Sequence, residues 1–299
     1  MIRAGVIGLG VGEQHALAYQ ALPGVELRAV ADIDPIHLEG VADRLNVARR
    51  FTEWRKITED PDIDVVSICS WDDAHAEQAI SAFANGKHVM VEKPLCLTRA
   101  DAEWVLRAQQ DSGKRITSNM VLRRAHDFIE LRRQIQAGEF GKITHARAAY
   151  VHNIRWKFTH GWRSRAAGCS EIFSCTIHMI DLLRWLLREK VRTVSGGRIC
   201  DGTVHNCLLV KPLIVRGVET REARRHAHIV EIHGTKRRFT HKKRARVSKG
   251  ALIPDFIASI RENREPEVSA RDVFRVMDIC FACVEAVEQR KTITVSYQI

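Results

Sequence analysis

Residues 5–19 read GVIGLGVGEQHALAY, and the fold turns on whether Gly8, Gly10 and Gly12 form a phosphate-binding turn or a flexible corner. The stretch before them, IRAGVIG at 2–8, is apolar and β-branched. After them, EQHALAYQAL at 13–22 spaces Ala16, Leu17, Tyr19, Ala21 and Leu22 as a packed helix does. The order is strand, turn, helix. VELRAVADID at 25–34 then reads as a second strand leading to Asp32, twenty residues after Gly12. That is the spacing at which a carboxylate meets an adenosine ribose in a βαβ dinucleotide unit. In such a unit Gly8 permits the tight turn and Gly10 lets a pyrophosphate approach the backbone. The helix N-terminus that follows offers unpaired N–H groups and a partial positive charge, and Val11 and Gly12 join Gly8 and Gly10 as cofactor-binding candidates. The spacing departs from the common pattern at one place, where Glu13 stands instead of Gly or Ala and Gly12 is the nearest substitute. Asp32 can accept hydrogen bonds from both ribose hydroxyls but repels a 2′-phosphate, and Ile33 follows it in place of a pairing Arg. NAD is therefore expected in preference to NADP.

The alternation continues along the chain. IDVVSICS (63–70), KHVMVEKP (87–94) and KRITSNM (114–120) read as buried strands, with helices at AHAEQAISAFANG (74–86) and RADAEWVLRAQQDSG (99–113), each ended by glycine. Strands alternating with helices predict a doubly wound parallel sheet with ligand at the carboxyl ends of its strands. Ser70, His75 and the run Glu92-Lys93-Pro94 fall at such ends, and with the glycine turn and Asp32 they make up the expected cofactor set. The domain boundary is placed near Asn119, giving a Rossmann domain at 1–119 and a second domain at 120–299.

Composition sets outer limits. With 299 residues, 45% of them hydrophobic, the chain can bury a substantial core. No apolar run approaches the roughly 18 residues a spanning helix needs, and no basic-then-apolar leader opens the sequence, so a cytoplasmic protein without membrane contact is expected. Eight cysteines are too dilute for a disulfide scaffold, and most sit in apolar runs. Cys280 and Cys283 in CFAC share a helix face but lack a second pair at zinc-site spacing. His226, His228 and His233 alternate as in a strand, without an accompanying carboxylate motif, and no metal is expected.

Taken together, several motifs resemble the glucose-fructose oxidoreductase, inositol dehydrogenase and MocA family. They are the glycine turn followed by His15, ADIDP (31–35), GKHVMVEKPL (86–95), GEFGKI (138–143), GWRS (161–164) and IHMIDLLRWL (177–186). The match resumes at EIHGTKRRF (231–239) and at 249–274. The resemblance implies an N-terminal Rossmann domain, a C-terminal α/β domain on an open, mostly antiparallel sheet, and NAD(P)-dependent redox chemistry on a sugar-like small molecule. It also carries Lys93 and His178 into the active site, with Asp181 one helical turn beyond. Oxidising a secondary alcohol needs a group titrating near neutrality to take the hydroxyl proton, which suits His178, and a cation at the developing alkoxide, which suits Lys93. Many members place an Asp four residues before this His, where the chain has Ser174, and Asp181 is the candidate substitute.

From Arg188 to Lys249 the chain carries 17 Lys and Arg against 5 Asp and Glu, so this window accounts for the whole net charge of +11. Pro212 interrupts its best apolar run, CLLVKPLIV at 207–215. A shortened C-terminal sheet is expected, and with it a monomer or loose homodimer. GTKRRFTHKKRARVSK has the charge of a nucleic-acid patch, but only Phe239 is there to stack on bases, which favours a solvated face. The leading function is thus an NAD(P)-dependent dehydrogenase of a sugar, sugar derivative or cyclitol. The alternatives are a nucleotide-binding relative with weak or lost catalysis and a nucleic-acid-interacting protein. Arg155, Lys157, Arg163 and Arg165 would tolerate an anionic substrate. Isothermal calorimetry should find tighter binding of NAD than of NADP, and equal or stronger binding of NADP would overturn the role given to Asp32.

Overall fold

The computed structural model describes all residues except 153–159, 161–169, 189, 197–204, 211–212, 219–225 and 299, and for 205–210 and 213–218 it describes the backbone alone. The described chain divides into two compact units, the first made of Met1–Val121 with Ser248–Phe274 and the second of Leu122–Val247 with Arg275–Gln298.

The first unit holds strands β1 (Ile2–Ile7), β2 (Val25–Ala31), β3 (Arg50–Phe51), β4 (Val65–Ile68), β5 (His88–Val91) and β6 (Ile116–Ser118). Between them run helices α1 (Leu9–Gln20), α2 (Pro35–Leu45), α3 (Arg55–Thr58), α4 (His75–Ala84) and α5 (Arg99–Ser112). All strand pairs are parallel, in the order β3-β2-β1-β4-β5-β6. This is the predicted doubly wound sheet, with its order reversing between β1 and β4. Ala4, Val6, Val30, Val65, Val66, Val89 and Met90 are fully buried, which is why these strands read as continuous apolar runs.

Helix α1 starts at Leu9, four residues earlier than the sequence suggests, so Gly10 and Gly12 lie within its first turns. The chain turns directly from strand to helix at Gly8, whose φ is 81°. A Cβ on Gly8 would stand 2.5 Å from the Cys69 carbonyl oxygen, and one on Gly12 would stand 2.8 Å from Val6 Cγ1. Gly12 thus supplies the close helix–sheet packing that the common motif asks of its third glycine, which explains why Glu13 is tolerated. A Cβ on Gly10 would meet nothing within 4 Å.

The sequence reading has a single boundary, whereas the chain crosses at Val121–Leu122 and returns at Ser248. The returning stretch carries α8 (Ile253–Arg261), where Arg261 donates to the Pro23 carbonyl at 2.6 Å, and Thr117 Oγ1 donates to the Val268 carbonyl at 2.9 Å. The second unit contains α6 (His126–Gln136), β7 (Ile143–Val151), a π-helical turn (Ile172–Thr176), α7 (Ile177–Leu187), β8 (Thr193–Ser195), β9 (His205–Val210), β10 (Leu213–Val218), β11 (Ala227–Gly234), β12 (Arg238–Lys243) and β13 (Thr292–Thr294). Most of α9 (Ala270–Gln289) belongs to it as well. Its five-stranded sheet runs β12-β11-β7-β10-β9, antiparallel except for the parallel pair β7 and β10, and β8 pairs with β13. This is the mostly antiparallel sheet that the resemblance implies. The run 207–215 is divided between β9 and β10, which pair with Val210 opposite Leu213; Pro212 lies outside the described residues.

Strand β12 forms an edge of this sheet and carries part of the basic window. Arg237 pairs with Glu139 at 2.9 Å, Lys243 with Asp127 at 3.0 Å and Lys242 with Glu231 at 3.7 Å. Charged side chains on an exposed edge discourage strand addition, which gives these residues a use without nucleic acid. Gly8→Ala should destabilise the chain by about 2–4 kcal/mol in urea unfolding, through a positive φ and a clash with backbone. Gly10→Ala should instead leave stability unchanged or raised by up to about 1 kcal/mol while lowering dinucleotide affinity.

Candidate active site

The parallel strands of the first unit deliver their carboxyl ends to one edge of the sheet. Asp32 follows β2, and its Oδ2 accepts the Leu9 N–H at 2.7 Å, so the carboxylate sits against the N-terminus of α1. Oδ1 accepts the Asp34 N–H at 3.0 Å, and His37 Nδ1, 3.3 Å from Oδ2, must carry the proton of that contact because a carboxylate only accepts. Gly10, in the first turn of the same helix, is exposed. An open helix N-terminus flanked by a carboxylate fits a dinucleotide's pyrophosphate and ribose. Ile33, next after that carboxylate, and Ile36, in the first turn of α2, are apolar side chains left 73% and 85% exposed. The sequence reading used Ile33 only as the absence of an Arg and overlooked Ile36.

Ser70 and His75 follow β4. Ser70 Oγ donates to Gln78 Oε1 at 2.7 Å. The buried His75 ring has Nδ1 2.7 Å from the Pro94 carbonyl oxygen and Nε2 3.2 Å from that of Ser70. His75 therefore ties the loop after β4 to the loop after β5, and both of its nitrogens face backbone rather than a ligand.

Glu92 ends β5 and is buried. Its Oε1 accepts from Asn119 Nδ2 at 2.6 Å and lies 3.6 Å from His15 Nε2, while Oε2 accepts the Lys93 N–H at 3.3 Å. Burial by itself would push this carboxyl up, but the hydrogen bond from His15 and the charges of Lys249 and Lys93 outweigh it and hold it well below the usual range. His15 Nδ1 lies 3.1 Å from Ser67 Oγ, which is also 2.9 Å from the Tyr19 hydroxyl. The result is a buried polar network beneath Lys93. His15, Asn119 and Lys249 are not among the sequence-predicted site residues, because only the sheet order brings α1, β5 and β6 together at this point.

In the second unit His178 lies in the first turn of α7, 4% exposed. Its ring is nearly parallel to that of Tyr150 at 5.9 Å between centroids. Burial pushes the Tyr150 phenol up, so it stays protonated. His226 and His228 approach the same phenol at 5.2 and 4.8 Å, and His152 stacks on His226 at 4.2 Å. His228 Nδ1 accepts the Ala245 N–H at 3.0 Å, so its proton is on Nε2, which faces His226 Nε2 at 3.3 Å. His233 points to the opposite face of β11, as period two requires, and among the described residues no group of three metal-binding side chains occurs.

Asp181 does not take the place expected of it beneath His178. Arg123 Nε donates to its Oδ2 at 2.8 Å and Arg123 Nη2 to its Oδ1, both side chains being 2% exposed. The carboxylate is consumed in a buried, bidentate ion pair. Ser174 lies in the π-helical turn directly before α7. Hydrogen bonds there run to the fifth residue, so a side chain four places before His178 is rotated from the α-helical stacking that the comparison with an Asp assumes. Arg155, Lys157, Arg163, Arg165 and the GWRS motif lie outside the described residues.

A doubly wound sheet reversing at a glycine turn, with a carboxylate after its second strand, defines a dinucleotide-binding Rossmann protein. Residues 2–120 match the model of an oxidoreductase family with the NAD-binding Rossmann fold, and residues 128–200 match the GFO/IDH/MocA C-terminal domain. The chain belongs to the Gfo/Idh/MocA oxidoreductase family. It is 30% identical over 204 residues to the inositol 2-dehydrogenase of Salmonella typhimurium, covering 65% of this chain and 57% of that protein. To the levoglucosan dehydrogenase of Pseudarthrobacter phenanthrenivorans it is 30% identical over 205 residues, covering 63% and 52%. The match thus spans little more than half the length of these curated relatives. In fold it is similar to the myo-inositol 2-dehydrogenase of Lactobacillus plantarum, with a TM-score of 0.87 at 20% identity over 99% of both chains. The scyllo-inositol dehydrogenase of Lactobacillus casei, solved with NAD(H) and scyllo-inositol, gives 0.83 at 20% identity, again over 99% of both.

Replacing Arg123 by Leu leaves Asp181 buried without its cation and should cost about 3–5 kcal/mol in chemical unfolding. The double variant Arg123→Leu/Asp181→Leu should recover most of that loss if the pair is structural.

Proposed function

We propose that this chain is an NAD-dependent oxidoreductase that moves a hydride between the nicotinamide and a hydroxyl or keto carbon of a sugar, sugar derivative or cyclitol. The observation that carries the reading is the polar network under Lys93, an ionised Glu92 at the end of β5, on a sheet whose switch point is built for a dinucleotide. Asp32, the α1 N-terminus and the face of Ile33 and Ile36 would hold the cofactor, which when bound supplies the hydride acceptor. Lys93 donates to the substrate oxygen and stabilises its developing charge, and His178 takes the hydroxyl proton. Asp181 acts at a distance by fixing α7 through Arg123.

A polyol substrate is supported by the described surroundings of His178. Tyr150, His226 and His228 present rings and hydrogen-bonding edges, which suit hydroxyl groups and the C–H faces of a sugar-like ring. The relatives named for inositol and levoglucosan point to the same class. For assembly we propose a monomer or loose homodimer, since the sheet face opposite α7 carries the ion pair Arg147–Glu231 and the rings of His145 and His233 where a strong dimer would want apolar surface. No described helix is long and apolar enough to cross a membrane, and a cytoplasmic location is part of this proposal.

Lys93→Met and His178→Ala should each lower turnover by roughly 10²–10⁴-fold while NAD affinity stays nearly constant. The measurement is NAD reduction against a panel of sugars, sugar acids and inositols. If the parent and Ser174→Asp both bind NAD yet neither turns over any member, the reading gives way to a nucleotide-binding protein without this chemistry.

A further inference from the structure

Lys249 lies beyond both stretches matched by the family models and reaches the first unit from the far end of the chain. Its backbone is pinned on both sides. The Lys249 N–H donates to Gln14 Oε1 of α1 at 3.0 Å, and its carbonyl accepts from Asn119 Nδ2 at 2.9 Å. The next residue has no room for a side chain, since a Cβ on Gly250 would stand 2.5 Å from Ala18 Cβ and 2.7 Å from the Gln14 carbonyl oxygen. One amide group, Asn119 Nδ2, therefore joins the Lys249 backbone to the Glu92 carboxylate, which it meets at 2.6 Å.

The groups facing Glu92 can be named element by element. From α1 comes His15, from the end of β4 the Cys69 thiol, which burial pushes up and so keeps neutral, and from the end of β6 the neutral Asn119. The cations acting on it are Lys93, next in sequence, and Lys249. Among the described residues one buried carboxylate thus answers to two ammonium groups.

We infer that Lys249 is a positioning residue of the redox site: by sharing the charge of Glu92 with Lys93, it keeps that carboxylate from drawing the Lys93 ammonium away from the substrate oxygen. The inference rests on the proposed role of Lys93. Opposite charges attract strongly where water is excluded, so a lone Lys93 would be drawn toward Glu92, whereas a second cation divides the attraction.

The test is a double-mutant cycle on the full chain with Lys249→Met and Glu92→Gln, and Lys249→Arg as the conservative variant. In Lys249→Met, kcat should fall about 10–100-fold with NAD affinity changed less than about threefold, and Lys249→Arg should restore most of the rate. On the Glu92→Gln background the same substitution should change kcat by less than about twofold, since its target charge is gone. Unfolding in urea, read on the same four proteins without substrate, should show the same non-additivity. Lys249→Gln replaces Lys249→Met if the latter does not fold. Equal rates in parent and Lys249→Met, or effects of Lys249 and Glu92 that simply multiply in both readouts, would overturn the inference. If the parent binds NAD but oxidises no polyol, the proposed function fails instead, and the urea cycle alone decides whether Lys249 and Glu92 are coupled.

Discussion

Everything at the carboxyl edge of the parallel sheet depends on how closely α1 lies against β1 and β4. That approach requires hydrogen at two Cα positions, Gly8 against the Cys69 carbonyl and Gly12 against Val6. With both in place the helix begins one residue after the turn, and its first N–H meets Asp32 at the end of the neighbouring strand. The same packing carries His15, two turns into the helix, to the ends of β4 and β5. One steric condition therefore sets the open helix end, the Asp32 carboxylate beside it and the imidazole next to Glu92.

The two units each bury a carboxylate, and they satisfy it differently. Asp181 is neutralised by a single bidentate Arg123, an arrangement that satisfies both oxygens and leaves little capacity for another partner. Glu92 is served by an amide, an imidazole, a backbone N–H and the field of two lysines. Distributed partners leave such a group responsive to changes around it, whereas a closed pair holds a helix still.

Part of the basic window is paired once folded. Its charges on and beside β12 face Glu139, Asp127 and Glu231, drawn from α6's end, α6 and β11. Local charge in sequence is not local field in space. Two of these carboxylates come from elsewhere in the chain and one from the neighbouring strand of the window itself, and the surplus serves an edge strand that would otherwise invite pairing.

The sequence by itself determined the parallel sheet, the glycine turn and Asp32, because these follow from local periodicity, glycine's lack of a side chain and a fixed spacing along the chain. Lys93 and His178 came as catalytic candidates only through the resemblance, whose motifs around them are contiguous, and their roles are proposals. Only the tertiary structure decided what surrounds them. Asp181 looked suited to His178 by helical spacing, yet Arg123, 58 residues earlier, occupies it. Ser174 looked one turn below the imidazole until the π-helical turn altered the period. The return of Ser248–Phe274 to the first unit, with Lys249 at Glu92, leaves no periodic signal. Partners of a buried charge are chosen by the three-dimensional meeting of distant segments, and burial makes that choice decisive because water is not there to replace a missing one.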